Sequence, residues 1–181
     1  MSTSLKQLEQ GGTVDSERPA LGPQYIASWE GHRTEDLVAK YPLQLISPHP
    51  RFSFHTMGDA KDSWTNEIKD HRHLHEDGGY YWIVRMSSAD AAIRGISDGD
   101  LVRAYNGRGS VILAAQVTER LPSGTVHSYE SCADYEPLGA PGESPDRAGC
   151  VNILTPDRFI TPTSTGMASN SCLIEVERWE G

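Results

Sequence analysis

The sequence predicts a mainly β domain, a small barrel or sandwich of about six short strands with one or two short helices and long polar loops. Three observations carry this. Short β-prone runs recur along the chain, separated by clusters of Gly, Pro, Asn, Asp and Ser. A single segment, Ser87–Gly95, has the makings of a capped helix. No apolar run reaches the length of a membrane span.

The elements follow in order. Residues 1–23 are polar and rich in Gly, Ser and Glu, and read as a flexible lead. Residues 24–40 carry scattered apolar side chains and read as a partly packed linker, so the domain proper is expected over residues 41–178. Pro42–Ile46 is a first strand, ended by Ser47-Pro48-His49-Pro50. Residues 57–79 are polar and irregular, with room for one helical turn near Trp64–Ile68. Tyr80–Met86 is a strongly β-prone run. Ser87 or Ser88 can cap a helix over Ala89–Arg94, with Asp90 near its positive end and Gly95 where a left-handed terminator is wanted. Ser97–Asp100 is a turn, Leu101–Tyr105 a strand, Asn106-Gly107 a hairpin signal and Ser110–Val117 the returning strand. Thr125–Tyr129 is a further strand. Residues 134–149 form a Pro/Gly/Glu loop of low order, Cys150–Leu154 an apolar strand, Thr155–Asn170 a Thr/Pro/Ser loop, and Cys172–Val176 the last strand.

The bulk numbers narrow function. A chain of 181 residues suits one domain plus a tail. Its net charge of -9 disfavours nucleic acid and anionic membranes as partners. Local basic groups and backbone N–H donors still allow an anionic ligand. The three cysteines are odd in number and widely spaced, which suggests neither a disulfide framework nor a metal knuckle. The N-terminus lacks the apolar core of a signal peptide, so the cytoplasm is the default expectation.

The block D-A-A-I-R-G-I-S-D-G-D-L-V, followed by a strand and an N-G-R-G turn, resembles a known pattern. It is similar to the C-terminal molybdopterin-dinucleotide-binding domain of the DMSO-reductase-type molybdenum and tungsten oxidoreductases. The likeness runs over residues 41–176. It implies a six-stranded double-psi β-barrel with ligand loops at one edge. Two landmarks carry the expected site. The first is Ser47–Thr56, S-P-H-P-R-F-S-F-H-T, where the family has a loop of the type T-G-R-x-x-x-x-W-H-T. His55-Thr56 matches, Phe54 takes the aromatic position, and Pro48-His49 replaces the usual Gly-Arg, a role Arg51 can take. The second is Gly149–Thr155, with Asn152 inside the apolar run, followed by a closing loop that ends in Ser169-Asn170 where the family often has a Lys.

The resemblance therefore implies that Ser47, His49, Arg51, Ser53, His55, Thr56, Asn152, Thr155, Ser169 and Asn170 bind one molybdopterin guanine dinucleotide. A pterin dinucleotide wants Arg and His donors, hydroxyls and main-chain N–H groups. An Asn amide offers donors and an acceptor to a pterin or guanine edge. The plain alternatives are a surface loop whose Phe52 and Phe54 plug the core, and an Asn152 satisfied by backbone. The molybdenum or tungsten ion is not expected to be held by this chain, and no catalytic residue is expected in it. The resemblance implies a part of a larger oxidoreductase, with S-P-H-P-R-F-S-F-H-T and W-E-G…K-Y-P-L pointing to its hydroxyl-transferring branch. The implied partners are the remaining catalytic domains and an iron–sulfur electron-transfer subunit. The rival reading is a stand-alone barrel used as an interaction or adaptor module.

Other segments carry less. His71, His73 and His75 would share one face of a strand, a pattern able to hold zinc or copper. The acidic residues and glycines around them favour a solvated loop. His127, Ser128, Ser131, Cys132 and Asp134 match no triad signature, and Gly107-Arg108-Gly109 is a hairpin turn rather than a phosphate loop.

Overall fold

The computed structural model describes residues 30–53, 55–56, 64–130, 132–161, 164–167 and 172–181. Among them the strands are β1 (Leu43–Ile46), β2 (Arg72–Leu74), β3 (Tyr80–Met86), β4 (Leu101–Asn106), β5 (Gly109–Val117), β6 (Thr125–Ser128), β7 (Phe159–Thr161), β8 (Ser164–Met167) and β9 (Cys172–Arg178). Two α-helices, α1 (Glu35–Lys40) and α2 (Ser88–Arg94), accompany them. None of the described helices is long and apolar enough to cross a membrane.

Hydrogen bonding runs β3-β5-β4-β9-β1-β6, and β6 pairs back onto β3. The sheet therefore closes on itself as a six-stranded barrel, the double-psi type. Two pairs, β1–β6 and β3–β5, are parallel, and the rest of the ring is antiparallel. Closure removes the free edges that an open sheet of this size would expose. β2 lies outside the ring, antiparallel to the start of β3.

The interior follows from alternation along the strands. Leu43 and Leu45 of β1, Trp82, Val84 and Met86 of β3, Val102 and Ala104 of β4, and Ile174 and Val176 of β9 meet in one buried cluster. β5 departs from alternation and is buried from Val111 through Ala115. Its outer face is covered as well, by Tyr81 with Leu101 and Trp179. The loop before the 150s adds to that cover. Asp146 N–H donates to Ser110 O, and Asp146 O accepts from Ile112 N–H.

α2 forms as its caps dictate. Ser87 accepts from Asp90 N–H at the start, and Gly95 closes the end at φ 63°. Asp90 does more than favour the helix dipole. Its carboxylate accepts from Ser87 Oγ at 2.7 Å, Ser123 Oγ at 2.7 Å and Gly124 N at 2.8 Å. It thereby ties α2 to the turn that launches β6, and Gly124 O in turn accepts from Gln44 N–H of β1. Burial alone would raise the Asp90 pKa, but the bonds from Ser87, Ser123 and Gly124 and the Arg94 charge hold it below the usual carboxylate value.

Four expectations need correction. Cys150–Leu154 is not a strand: Val151–Leu154 is a 3-10 turn. Its buried residues are Val151 and Leu154, and three-residue spacing puts both on one face of such a turn. Asn152 is therefore exposed rather than set inside an apolar strand. Residues 155–170 are not loop throughout, because β7 and β8 form a hairpin there. Residues 134–149 are not of low order, since the buried Asp146 carboxylate accepts from the N–H groups of Glu136, Ala148 and Cys150. His71–His75 is not a solvated loop: β2 pairs with β3, and His71 is buried.

Candidate functional site

Strand direction collects the two sequence landmarks at one rim of the barrel. β1 and β6 run parallel with Ile46 beside His127, so Ser47 and Tyr129 leave from the same end. Cys172, the first residue of β9, pairs with Leu45 at that end, and the β4–β5 hairpin turns there too. α2, the 98–100 turn and Gly124 lie at the opposite rim.

The first cluster grows from the loop after β1. Ser47 is buried, and Pro48 O accepts from Glu130 N–H at 3.2 Å, stitching the loop to the end of β6. His49 Nδ1 pairs with Glu130 Oε1 at 2.5 Å. The His55 ring stands perpendicular to that of His49, centroids 4.7 Å apart. His55 reaches this position with φ 51°, the left-handed region that side chains other than glycine rarely adopt. Arg51 lies 5.3 Å from the Phe52 ring centre, and Arg51, His49, His55 and Thr56 are exposed.

Beneath the loop is an aromatic floor. Phe52 packs on His71, which contacts both Trp82 and Tyr129. Tyr129 meets His127 edge-on and carries Arg85 over its ring. Arg85 Nη1 lies 3.2 Å from His127 Nδ1. Guanidinium can only donate, so His127 accepts there as a neutral imidazole. Burial and then the Arg85 charge lower the His127 pKa, in keeping with that form.

The second cluster is built on the carbonyl of Leu154. It accepts from Arg108 Nε at 2.7 Å, Asn106 Nδ2 at 2.8 Å and Cys172 Sγ at 3.0 Å. The Arg108 fork grips Glu30 at 2.6 and 2.9 Å, a bidentate pair. Burial would lower the Arg108 pKa, but the Glu30 bond and charge raise it. Burial pushes the Cys172 thiol up to about 11. The knot fixes the 3-10 turn from which Asn152 projects. Thr155 Oγ1 donates to Asn152 O at 2.8 Å. A methyl on Gly109 would lie 2.6 Å from Ile153 Cγ2, so this glycine lets the turn seat against the hairpin.

The structure thus brings His49 and His55 together, with Ser47, Arg51, Ser53 and Thr56 on the same loop, and sets Asn152 and Thr155 on the neighbouring sector of the rim. Ser169 and Asn170, with Phe54, lie outside the described residues. Glu130, Glu30 and Arg108 were missed as parts of the site. Each acts across more than seventy residues of sequence, and local spacing gives no signal for such pairs. Three buried polar atoms near this rim have no hydrogen-bond partner among the described residues: Ser53 Oγ, Ser128 Oγ and Trp82 Nε1. Buried hydroxyl and indole groups are normally satisfied, so each of these atoms is a candidate for a bond to water or to a ligand. The donor set as a whole is one guanidinium and two imidazoles plus hydroxyl, amide and indole groups, which suits a phosphate-bearing ligand with a polar heterocycle.

A cleft of about 460 Å³ opens elsewhere, lined in part by Glu67, Lys69, Arg72, His73 and Asp98. Its charges are mixed in sign, and no residue of the two landmarks lines it.

Comparison with known proteins reaches the same domain type. Residues 43–173 match the family model described as the molydopterin dinucleotide binding domain. The chain is 59% identical over 181 residues to the pyrogallol hydroxytransferase large subunit of Pelobacter acidigallici, covering all of this chain and 20% of that one. It is 32% identical over 149 residues to the trimethylamine-N-oxide reductase of Haemophilus influenzae, covering 81% of this chain and 17% of that one. Acetylene hydratase from Pelobacter acetylenicus shares the fold, with a TM-score of 0.64 at 15% identity over 87% of this chain and 21% of that one. The chain spans about a fifth of the length of these proteins.

Proposed function

Because this chain belongs to the molydopterin dinucleotide binding domain family, we propose that it binds and orients one molybdopterin guanine dinucleotide inside a larger molybdenum or tungsten oxidoreductase or hydroxytransferase. The observation that carries this reading is the rim itself. A chain of net charge -9 gathers Arg51, His49 and His55 on one loop, beside buried hydroxyls that lack partners among the described residues.

The residues present fit such a group. Arg51, His49 and His55 would hold the pyrophosphate, with Ser47, Ser53 and Thr56 adding hydroxyls. Asn152 and Thr155, with Ser169 and Asn170, would take the heterocycle edges. When bound, the group supplies the dithiolene sulfurs of a redox-active metal, and the chain supplies binding, orientation and exclusion of water. Its own residues hold no reacting proton in this account, and none is assigned a catalytic role. The hydroxytransferase large subunit at 59% identity favours hydroxyl transfer as the parent's activity. The partners this reading requires are the remaining catalytic domains. An iron–sulfur electron-transfer subunit follows from the family resemblance.

The test is an anaerobic titration of the labelled chain with released molybdopterin guanine dinucleotide, followed by amide chemical shifts. Shifts concentrated in residues 47–56 and 150–170 are expected. Arg51→Ala and His55→Ala together should weaken binding by about tenfold or more, the loss of charge-assisted bonds. Shifts confined to the β2–β3 cleft, or none at all, would sink the reading and favour an interaction module.

A further inference from the structure

The geometry points to a divalent transition-metal site at His49, His55 and Glu130, distinct from any metal carried by a dinucleotide. One ligand atom from each residue lies within 4.8 Å of the others, the only such His/Cys/Asp/Glu group among the described residues. Two imidazoles and a carboxylate are a donor set that suits zinc, cobalt or nickel, with a coordination position left open.

The ordinary alternative is a surface ion pair. It accounts for His49 and Glu130, which touch at 2.5 Å; the metal reading adds the convergence of His55 within 4.8 Å of both. His55 holds a left-handed backbone at φ 51° and sets its ring at 90° to that of His49. That backbone is uncommon at a residue with a side chain, and it persists where surroundings or a ligand favour it. Perpendicular rings allow the in-plane lone pairs of both imidazoles to converge on one point.

The fold supplies the rigid side of the site. Glu130 follows β6 directly, its N–H is bonded to Pro48 O, and its side chain is only 16% exposed. His49 is 66% exposed, with its ring already turned to Glu130. Bonds to zinc of about 2.0–2.2 Å place ligand atoms roughly 3.3 Å apart, so modest rotation of exposed rings closes the set. Both ligand-bearing segments leave adjacent parallel strands at one rim, which holds their bases in register. The site draws on the same two imidazoles that are proposed to hold the pyrophosphate, so metal and dinucleotide would meet or compete there, and the metal is tested with no nucleotide present.

The experiment uses cobalt(II) chloride and the full chain, with no nucleotide present. Saturable binding of one equivalent with a visible d–d band, displaced by zinc, is expected. Glu130→Gln should weaken binding by at least about tenfold, and His49→Ala/His55→Ala should abolish the band. His73→Ala/His75→Ala should leave it intact, separating this site from the other histidines. Retention of the band by the His49/His55 double variant, or no saturable binding in the wild-type chain, would overturn the proposal. Neither result bears on the dinucleotide titration, which is read separately.

Discussion

At the α2 end of the barrel Asp90 turns both carboxylate oxygens on groups of its own domain, Ser87, Ser123 and the Gly124 N–H. At the other rim Arg51, His49 and His55 are exposed, while Ser53 and Ser128 keep buried hydroxyls without partners among the described residues. The same small barrel therefore ends once in a buried polar knot and once in an exposed loop that carries one guanidinium and two imidazoles. The first arrangement holds strands in register, and the second presents polar side chains to solvent. The Leu154 knot shows a third use, in which polar groups are spent internally so that their neighbour, the exposed Asn152, is held in place.

The largest effect that would break this contrast is at Asp90. Asp90→Ala leaves the buried Ser87 hydroxyl and the half-buried Gly124 N–H without their acceptor, and urea unfolding should show a loss of about 2–3 kcal/mol. If the loss were under about 0.5 kcal/mol, the α2 end would not be the structural anchor described here.

Arg108→Ala is next. It removes the bidentate partner of Glu30 and one of the three donors to Leu154 O. A cost of about 1–2 kcal/mol is expected, with loss of order in the amide signals of residues 150–155 while α2 is unchanged. Disturbance spreading to α2 would contradict the separation of the two ends.

Acidification should open the ends in sequence. His127 has a folded pKa below its unfolded value, so its contribution is present above about pH 6.5 and is lost as pH falls through the folded pKa. Asp90 is also depressed, but from the carboxylate range, so its contribution disappears only as pH drops below about 4. Amide exchange followed from pH 7 to 3 should therefore show the β6 end loosening first. His127→Gln should remove the first phase and Asp90→Asn the second.

The smallest effect concerns reactivity. With its thiol pushed up to about 11 and buried, Cys172 should resist iodoacetamide at pH 8 in the folded chain, whereas the half-buried Cys150 labels faster. Mass spectrometry of the labelled peptides reads the difference.

Local chemistry was legible wherever cause and effect lie a few residues apart. The Ser87 cap, the Gly95 terminator and the Asn106-Gly107 hairpin all fall where their side chains and backbone freedom require. The barrel strands were legible to within one or two residues for the same reason. The 3-10 turn at Val151–Leu154 was not, because a short run such as Val-Asn-Ile-Leu reads alike as strand or turn. The β7–β8 hairpin hid in a Thr/Pro/Ser stretch that reads as loop. For the site, the residue types on the first loop could be read, but not that Glu130 would meet His49. That meeting depends on β6 lying parallel to β1, which no periodicity encodes.

The place of β9 has a consequence for how the molecule comes into being. It sits between β1 and β4, and its pairing with β1 joins positions 128 residues apart, as in the Gln44 Nε2 bond to Cys172 O. During synthesis the ring cannot close until that late strand has left the ribosome. Contacts of such long sequence separation also make closure slow relative to local structure. The rim that carries both ligand landmarks includes Cys172 itself, so it is among the last parts of the barrel to take shape. A ligand that binds at this rim must therefore wait until all six barrel strands of the domain have been made.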